Sequence, residues 1–256
     1  MRRAGIVAAG TVGVLAIAGV GLWLALFRDT AEPVTVGEAV TSFRTDTETT
    51  PAAASPIPPG VYVYATRGYE KTDALTGVTH RYPRRSTITV TAADCGLSLT
   101  WRVLTGRSTE WTFCVKHDVW FLASQDERHT FFATTERTDY VCRHSPILPL
   151  ALPVHSRWDL SCSTGGATES GLGFLIDRGR LALASGRKVA AVLVRKQTDF
   201  VGEIRGVALY DFWFATKKHV PILIHMVSRT TNDSPVGDVH YEEDVTLRLL
   251  SLEPRR

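Results

Sequence analysis

Alternation of apolar and polar residues dominates this chain from Gly60 almost to its C-terminus. One run shows the pattern without interruption: Leu97, Leu99, Trp101 and Val103 alternate with Ser98, Thr100 and Arg102. Successive side chains of a β-strand point to opposite faces of a sheet, so a period of two indicates strands with one buried face. Turn sequences separate the runs, and no long helical period follows residue 44. The sequence therefore predicts a mainly β domain over residues 60–256, an antiparallel meander that forms either a sandwich or a curled sheet.

A different pattern precedes this region, because residues 4–27, from Ala4 to Phe27, contain no charged side chain. A helix of this length reaches about 36 Å at 1.5 Å per residue, enough to cross the roughly 30 Å hydrocarbon core of a bilayer. The apolar region of a cleaved signal peptide is shorter, about 7–15 residues, and no small-residue cleavage site follows this run. We therefore predict an uncleaved transmembrane helix within residues 1–28.

The flanking charges predict how this helix is oriented. Arg2 and Arg3 precede it, whereas Arg28 on the other side is followed at once by Asp29. The positive-inside rule then puts the N-terminus in the cytoplasm. All four cysteines lie beyond the helix, as an oxidising exterior permits. The predicted localisation is the cell membrane, in a single pass, with an extracytoplasmic C-terminal domain.

The charge balance argues against one class of partner. The chain holds 29 basic and 26 acidic residues, and three of the basic ones, Arg2, Arg3 and Arg28, flank the predicted anchor. The remainder is formally neutral and lacks the basic excess by which proteins hold nucleic acids. We expect no nucleic-acid partner, and we expect the membrane to be contacted through residues 4–27.

A short helix and a linker are predicted between the anchor and the β domain, within residues 29–59. Thr35 and Glu38 have the spacing of a capping box, and Val36, Val40 and Phe43 fall on one helical face. We expect this helix, over residues 35–44, to pack on the domain. Residues 45–59 are rich in Thr, Ala, Ser and Pro, a composition typical of a linker.

The four cysteines allow three disulfide connectivities. Cys95 and Cys114 flank a predicted hairpin, and Cys142 and Cys162 flank a proline-rich middle region. We therefore expect the disulfides Cys95–Cys114 and Cys142–Cys162. No C-x-x-C pair occurs, so the spacing does not favour a zinc or redox site.

The first of these disulfides conflicts with the alternation around it. Pairing the apolar faces sets Leu97 opposite Phe113, which leaves Cys95 and Cys114 on opposite faces of the sheet. A bulge at Gly96 would turn Cys95 round. Without such a bulge, the expected pairing is wrong.

Motifs of known chemistry are missing. The sequence contains no G-x-S-x-G, no H-E-x-x-H, no phosphate-binding loop and no dinucleotide-binding glycine motif that opens a helix. His240, Glu242 and Asp244 share one face of a predicted strand but lie about 7 Å apart, too far for tight binding of one metal ion. We expect no catalytic residues, no metal and no cofactor, and we predict that the protein is not an enzyme.

Two acidic residues do not fit the alternation. Glu243 falls on the apolar face of the last strand, and Asp211 lies between Leu209 and Trp213. Such an acid pairs with an arginine, marks a polar spot in a ligand cavity, or indicates a bulge that shifts the register. We favour the bulge.

Residues 210–224, with the sequence YDFWFATKKHVPILI, resemble the strand–turn–strand of LolA-like and LprG-like lipoprotein carriers. In both, a strand that ends in an aromatic residue leads through a short turn to a proline and a returning antiparallel strand. The resemblance implies a strongly curved sheet, a half-barrel whose concave apolar face holds acyl chains. The predicted anchor and the four cysteines depart from the carriers. The chain also resembles membrane-anchored proteins of actinobacterial type that share SPVGDVHY at residues 234–241, a likeness that implies no function.

These features predict a membrane-anchored domain that binds an apolar ligand, a lipid or lipoprotein, without catalysis. The resemblance implies concave-facing ligand contacts at Leu209, Trp213, Ile222 and Ile224. The alternative is a structural or protein-interaction ectodomain of a cell-envelope assembly, with an envelope protein as partner. A cavity distinguishes the two hypotheses, since a filled interior excludes carriage of a ligand.

Overall fold

The computed structural model describes residues 31–47, 57–75, 77–116, 119–132, 134–143, 145–149, 151–234 and 237–256. The predicted transmembrane helix at residues 4–27 and most of the predicted linker lie outside the described residues. Within the described part of the chain, no helix is long and apolar enough to cross a membrane.

One helix and fourteen strands are present among the described residues. The helix α1 comprises Val36–Thr47. The strands are β1 (Gly60–Thr72), β2 (Val78–Arg81), β3 (Arg85–Ala93), β4 (Gly96–Leu104), β5 (Arg107–Lys116), β6 (Val119–Phe131), β7 (Thr134–Arg143), β8 (Pro146–Pro149), β9 (Arg157–Ser163), β10 (Ala167–Ala182), β11 (Lys188–Gly202), β12 (Ile204–Ala215), β13 (Pro221–Asn232) and β14 (Val239–Leu249).

The strands form one antiparallel sheet that closes on itself. Its order is β14-β13-β12-β11-β10-β9-β7-β6-β5-β4-β3-β1, and β14 pairs again with β1. These 12 strands make a closed barrel, while β2 pairs with β1 and β8 pairs with β6. The predicted antiparallel β domain is confirmed, but the predicted half-barrel is wrong.

A long first strand explains the closure. Strand β1 extends over 13 residues, and its two edges pair separately, with β3 and β2 along one edge and with β14 along the other. Backbone groups that a half-barrel would leave unpaired at this edge are therefore hydrogen-bonded. Gly68, with a φ of 144°, lies in this seam, and a Cβ atom there would collide with the carbonyl oxygen of Asp244. Glycine is thus required where β1 and β14 meet.

The inward-facing side chains change from apolar to polar along the barrel axis. On β1 the buried inward residues run from Tyr62 and Tyr64 to Glu70, and on the antiparallel β14 they run from Glu243 to Leu247. Apolar side chains therefore collect at one end of the barrel and polar ones at the other. We call these the packed end and the polar end. The packed end is filled by large side chains that include Trp101, Trp111, Phe113, Trp120, Phe212 and Phe214.

Helix α1 lies on the outside of the barrel. Its Ala39 and Phe43 are buried against Val61 of β1. The predicted capping box is present: the Thr35 amide donates to Glu38 Oε2 at 2.7 Å, and the Glu38 amide donates to Thr35 Oγ1 at 3.2 Å. The prediction of a capped helix packed on the domain is confirmed.

Residues before β1 also belong to the folded unit. Pro33 forms an isolated bridge with Leu104, and the Thr105 amide donates to the Glu32 carbonyl at 2.8 Å. Ile57 is completely buried in the core. The β domain is therefore held together by contacts that reach back to residue 32.

Both predicted disulfides, Cys95–Cys114 and Cys142–Cys162, are confirmed. The second joins residues directly opposite each other on β7 and β9. Each closes a loop of about 20 residues, which the chain-entropy model values at about 3 kcal/mol.

The conflict around Cys95 is resolved by its position. The predicted pairing of Leu97 with Phe113 is confirmed, and Gly96 pairs regularly with Cys114. Cys95 itself lies in the turn between β3 and β4, where the alternation of a strand does not apply. The disulfide therefore needs no bulge at Gly96.

Candidate functional site

The polar end of the barrel contains a cavity of about 580 Å³ that opens to the surface. Residues of β6, β7, β11, β12, β13 and β14 and of the β1–β2 connection line it. Its volume lies within the range of about 300–1,000 Å³ that is typical of small-molecule sites. Because the packed end is filled, the cavity is a pocket rather than a channel through the barrel.

Aromatic rings form much of the cavity wall. Six such residues line it: Phe131, Phe132, Tyr140, Phe200, Tyr210 and Tyr241. Several are in contact with each other, with ring centroids 6.2 Å apart for Tyr140 and Phe200 and 6.1 Å apart for Phe131 and Tyr241. Mutual contact restrains the rings, so the wall is an ordered apolar surface.

Charged groups form the cavity floor. Glu127, His129 and Glu243 line it, with side chains that are 22%, 11% and 6% exposed. The His129 imidazole also lies against Tyr241, with centroids 4.8 Å apart. Charges that are this poorly solvated interact strongly with their neighbours and with a bound ligand.

Arg107 lies behind the floor and is almost completely buried. Its Nη2 donates to Glu243 Oε2 at 2.8 Å and its Nε to Glu243 Oε1 at 3.2 Å, an arrangement that holds both carboxylate oxygens. Its Nη1 donates to Thr109 Oγ1 at 2.7 Å, and Glu70 Oε2 lies 3.7 Å from its Nε. Tyr82 donates a short hydrogen bond to Glu243. A buried ion pair with this many partners fixes the position of the Glu243 side chain.

Two histidines share one buried carboxylate beside this pair. His80 Nδ1 lies 2.8 Å from Glu70 Oε1, and His129 Nδ1 lies 3.1 Å from Glu70 Oε2. His129 Nε2 lies 3.7 Å from Glu127 Oε2. Phe131 stacks on His80 with centroids 5.0 Å apart. His129 therefore links the buried Glu70 to Glu127 at the cavity.

The Glu70 and Glu127 carboxylates are ionised at neutral pH. Burial raises the pKa of Glu127, but interactions with His129 and Arg107 outweigh burial and bring it to about 2. Burial also raises the pKa of Glu70, but hydrogen bonds with His129 and His80 outweigh it, again to about 2. For His129, burial and the Arg107 charge lower the pKa, but the two neighbouring carboxylates outweigh both and raise it overall. The cluster therefore favours a charged imidazolium between two carboxylates.

A second buried ion pair lies deeper in the barrel. Lys196 Nζ is 2.6 Å from Glu169 Oε1 and 4.7 Å from the ring centroid of Tyr210, over its face. Thr198 donates to Glu169 Oε1 at 2.8 Å. The Tyr210 ring thus separates this pair from the cavity, since Tyr210 is one of the lining residues.

The ligand contacts predicted from the sequence do not converge in the structure. Leu209 and Trp213 are half-buried on the outer face of β12, while Ile222 and Ile224 are fully buried at the packed end. None of the four lines the cavity. The structure thus separates the predicted residues into two sets on opposite sides of the sheet.

The two irregular acids have different explanations, and neither is the bulge that we favoured. Asp211 lies on the outer face and accepts two hydrogen bonds of 2.7 Å from Arg195. Glu243 points inward, pairs with Arg107 and lines the cavity. The register of β14 is continuous on both sides, so this strand contains no bulge.

Glu127 and His129 were not predicted as inward-facing residues, because the alternation changes phase within β6. Trp120 and Leu122 point inward, and then an irregularity in the β5–β6 pairing occurs around Ala123. After it, the inward positions are odd-numbered and include Glu127 and His129. A bulge of this kind reverses the faces of all following residues, and residues 124–130 are all polar, so no apolar side chain marks the new phase.

A larger groove, of about 840 Å³, lies on the outside of the barrel between α1 and strands β3 and β4. Its walls include Thr87, Thr89, Thr91 and Thr100. The groove contains none of the buried charged side chains described above. We therefore regard the cavity at the polar end as the candidate site.

Among the described residues, no group of three or more His, Cys, Asp or Glu side chains is arranged to hold a metal ion. Comparisons of this chain with protein families, with curated proteins and with solved structures gave no match. The functional assignment therefore depends on the geometry of the cavity.

Proposed function

We propose that this domain binds a small, largely apolar ligand in the cavity at the polar end of the barrel. The observation that carries the proposal is the contrast between the two ends, since side chains fill one and the other encloses about 580 Å³. Protein interiors are normally packed as densely as organic crystals, with few voids larger than a water molecule. A cavity of this size with aromatic walls is typical of a binding site.

The charged floor suits binding better than proton-transfer catalysis. A general base works best when its pKa lies near the operating pH. The pKa of Glu127 is about 2, so this carboxylate is a weak base. A fixed charge in a poorly solvated pocket orients a ligand, and we propose a non-catalytic role.

Two features support an extracytoplasmic setting at a membrane. The two disulfides are of a kind that persists in oxidising compartments, and the predicted anchor would tether the domain. We therefore propose that the ligand is taken from, or delivered to, the adjacent membrane, as with the lipoprotein carriers that residues 210–224 resemble. The competing hypothesis, a scaffold in an envelope assembly, does not explain why the cavity is present.

Native mass spectrometry of the full chain, released from a mild detergent, tests this proposal. We expect a bound small molecule that denaturation releases and that tandem fragmentation identifies. The variant Ser228→Trp puts an indole into the cavity, because Ser228 of β13 is one of its lining residues. The control Val227→Trp adds the same ring at the neighbouring position, which is paired with the outward-facing Leu209.

The proposal predicts loss of the bound molecule from Ser228→Trp and full occupancy in Val227→Trp. Equal occupancy in the two variants would overturn it. So would a wild-type chain that carries no molecule and binds nothing from an added panel of lipids and small hydrophobic compounds.

A further inference from the structure

We infer that the ligand of this cavity is an organic cation, an amine or quaternary ammonium group attached to an apolar body. The inference rests on the proposed function, because it assigns the ligand class of the same cavity. Three observations support it. The lining charges are mostly negative, the cations behind the floor are already paired with carboxylates, and the wall is aromatic.

The charged side chains that line the cavity are acidic with one exception. Glu127, Glu136, Asp233 and Glu243 contribute carboxylates, and among the described lining residues His129 is the one basic group. The described lining includes no lysine and no arginine. An anionic head group, such as a fatty acid carboxylate or a phosphate, would meet like charges without a permanent counter-ion, and like-charge juxtaposition disfavours a ligand strongly.

The permanent cations behind the floor are already paired. Arg107 Nη2 lies 2.8 Å from Glu243 Oε2, and Lys196 Nζ lies 2.6 Å from Glu169 Oε1. Each cation thus has a carboxylate of its own. Neither residue lines the cavity, so an anionic ligand would not contact either cation directly.

Of the two carboxylates on the floor, Glu243 pairs with Arg107 and Glu127 pairs with His129. His129 lies closer to Glu70, at 3.1 Å, than to Glu127, at 3.7 Å, and the Gln125 amide donates to Glu127 Oε1 at 2.9 Å. His80 also contacts Glu70 rather than Glu127. The Glu127 side chain is 22% exposed, in contrast to 1% for Glu70, so it is accessible from the cavity. A positive group in the cavity would make a charge-assisted contact with the Glu127 carboxylate.

The aromatic wall supplies the second element of a cation site. The faces of Phe and Tyr rings attract ammonium groups, and cages of such rings recognise quaternary ammonium ligands. The six rings of the wall surround a floor that contains Glu127. Carboxylates and aromatic ring faces both favour a positively charged ligand.

Three probes of nearly equal shape separate charge from apolar contact: benzyltrimethylammonium, its neutral isostere neopentylbenzene, and the anion phenylmethanesulfonate. We would measure their binding to the full chain at pH 7.5 by equilibrium dialysis, with the same uncharged detergent in both compartments. The inference predicts that the cation binds at least about tenfold more tightly than the neutral isostere, and that the anion does not bind. A tenfold ratio corresponds to about 1.4 kcal/mol.

The variant Glu127→Gln removes the proposed counter-ion and keeps the shape of the side chain. We expect it to weaken binding of the cation about tenfold and to leave binding of neopentylbenzene unchanged. The control is Glu242→Gln, which removes a carboxylate from the outer face of β14, next to Glu243. It should change the affinity for neither probe. The comparison of probes on the wild-type chain is decisive even if Glu127→Gln fails to fold.

The outcomes separate this inference from the proposed function. Equal or tighter binding of the neutral or anionic probe would overturn the cation assignment and leave the cavity as a binding site. Lack of binding of all three probes, together with lack of a co-purified molecule, would overturn both.

Discussion

Replacing Glu243 by glutamine tests the buried ion pair on which the polar end depends. The variant Glu243→Gln keeps the shape of the side chain and removes its charge. Arg107 then loses a carboxylate at 2.8 Å and retains Glu70 at 3.7 Å. An arginine does not deprotonate in a protein, so its positive charge remains buried.

The structure sets the size of the expected effect. The side chains of Arg107 and Glu243 are 1% and 6% exposed. Removing one partner of such a pair costs about 3–5 kcal/mol, because the remaining charge is left uncompensated. Glu70 still offsets part of that charge, so we expect a loss near the lower limit, about 3 kcal/mol. At roughly 2–4 °C per kcal/mol for a domain of this size, the melting temperature should fall by about 6–12 °C.

Urea unfolding followed by tryptophan fluorescence measures this loss. The control is Glu242→Gln, which removes a charge from the adjacent residue on the outer face of β14. Glu242 is 34% exposed and lies 3.7 Å from Arg229. Pairs as exposed as this contribute little, so the control should lose less than about 1 kcal/mol.

A double variant completes the test. Replacing both partners by apolar residues, in Arg107→Met with Glu243→Leu, removes the unpaired charge and should recover most of the stability lost by Glu243→Gln. Unchanged stability of Glu243→Gln would refute the reasoning. So would a double variant that is less stable than Glu243→Gln.

Three further predictions follow from the structure. The pKa of Glu70 is lowered from 4.5 to about 2, so its ionised form stabilises the fold above pH 4.5. About 3 kcal/mol of the free energy of unfolding should be lost as the pH falls from 4.5 to 2. Urea titrations at several pH values should show that the stability of Glu70→Gln depends less on pH in this range than that of the wild type. Gly173→Ala should lower the free energy of unfolding by about 1–3 kcal/mol, because the new Cβ would displace the Trp158 indole from its hydrogen bond to the Pro146 carbonyl. The control Gly179→Ala, on the same strand, should leave the free energy of unfolding unchanged. Urea unfolding measures both. Thr35→Ala should cost about 1 kcal/mol by removing the cap of α1, a loss that thermal unfolding would detect.

Local features of this fold were predictable from the sequence. The alternation indicated that Leu97 and Phe113 face each other, and the capping box indicated that a helix starts near Thr35. Both signals arise from interactions between residues that are close in the chain, where spacing alone defines the geometry. The same holds for the disulfides, whose cysteines are 19 and 20 residues apart in the sequence.

Closure of the barrel and the site within it were not predictable in this way. Closure depends on the pairing of Tyr64 with Leu249, which are far apart in the chain. The inward position of Glu127 depends on an irregularity near Ala123 that reverses the faces of β6. The inward acid Glu243 was noticed, but its partner Arg107 is brought to it by the fold. Such features require the whole sheet to be in place.

One measurement tests the central claim, that the ligand lies at the polar end of the barrel, most directly. Methyl NMR spectra of the full chain, labelled at isoleucine δ1, would be recorded during titration with the tighter-binding of the cationic and neutral probes. Ile204 lines the cavity, whereas Ile222 and Ile224 are buried at the packed end. We predict shifts and ligand contacts at Ile204 and unchanged signals from Ile222 and Ile224. Shifts at Ile222 and Ile224 without a response from Ile204 would contradict it.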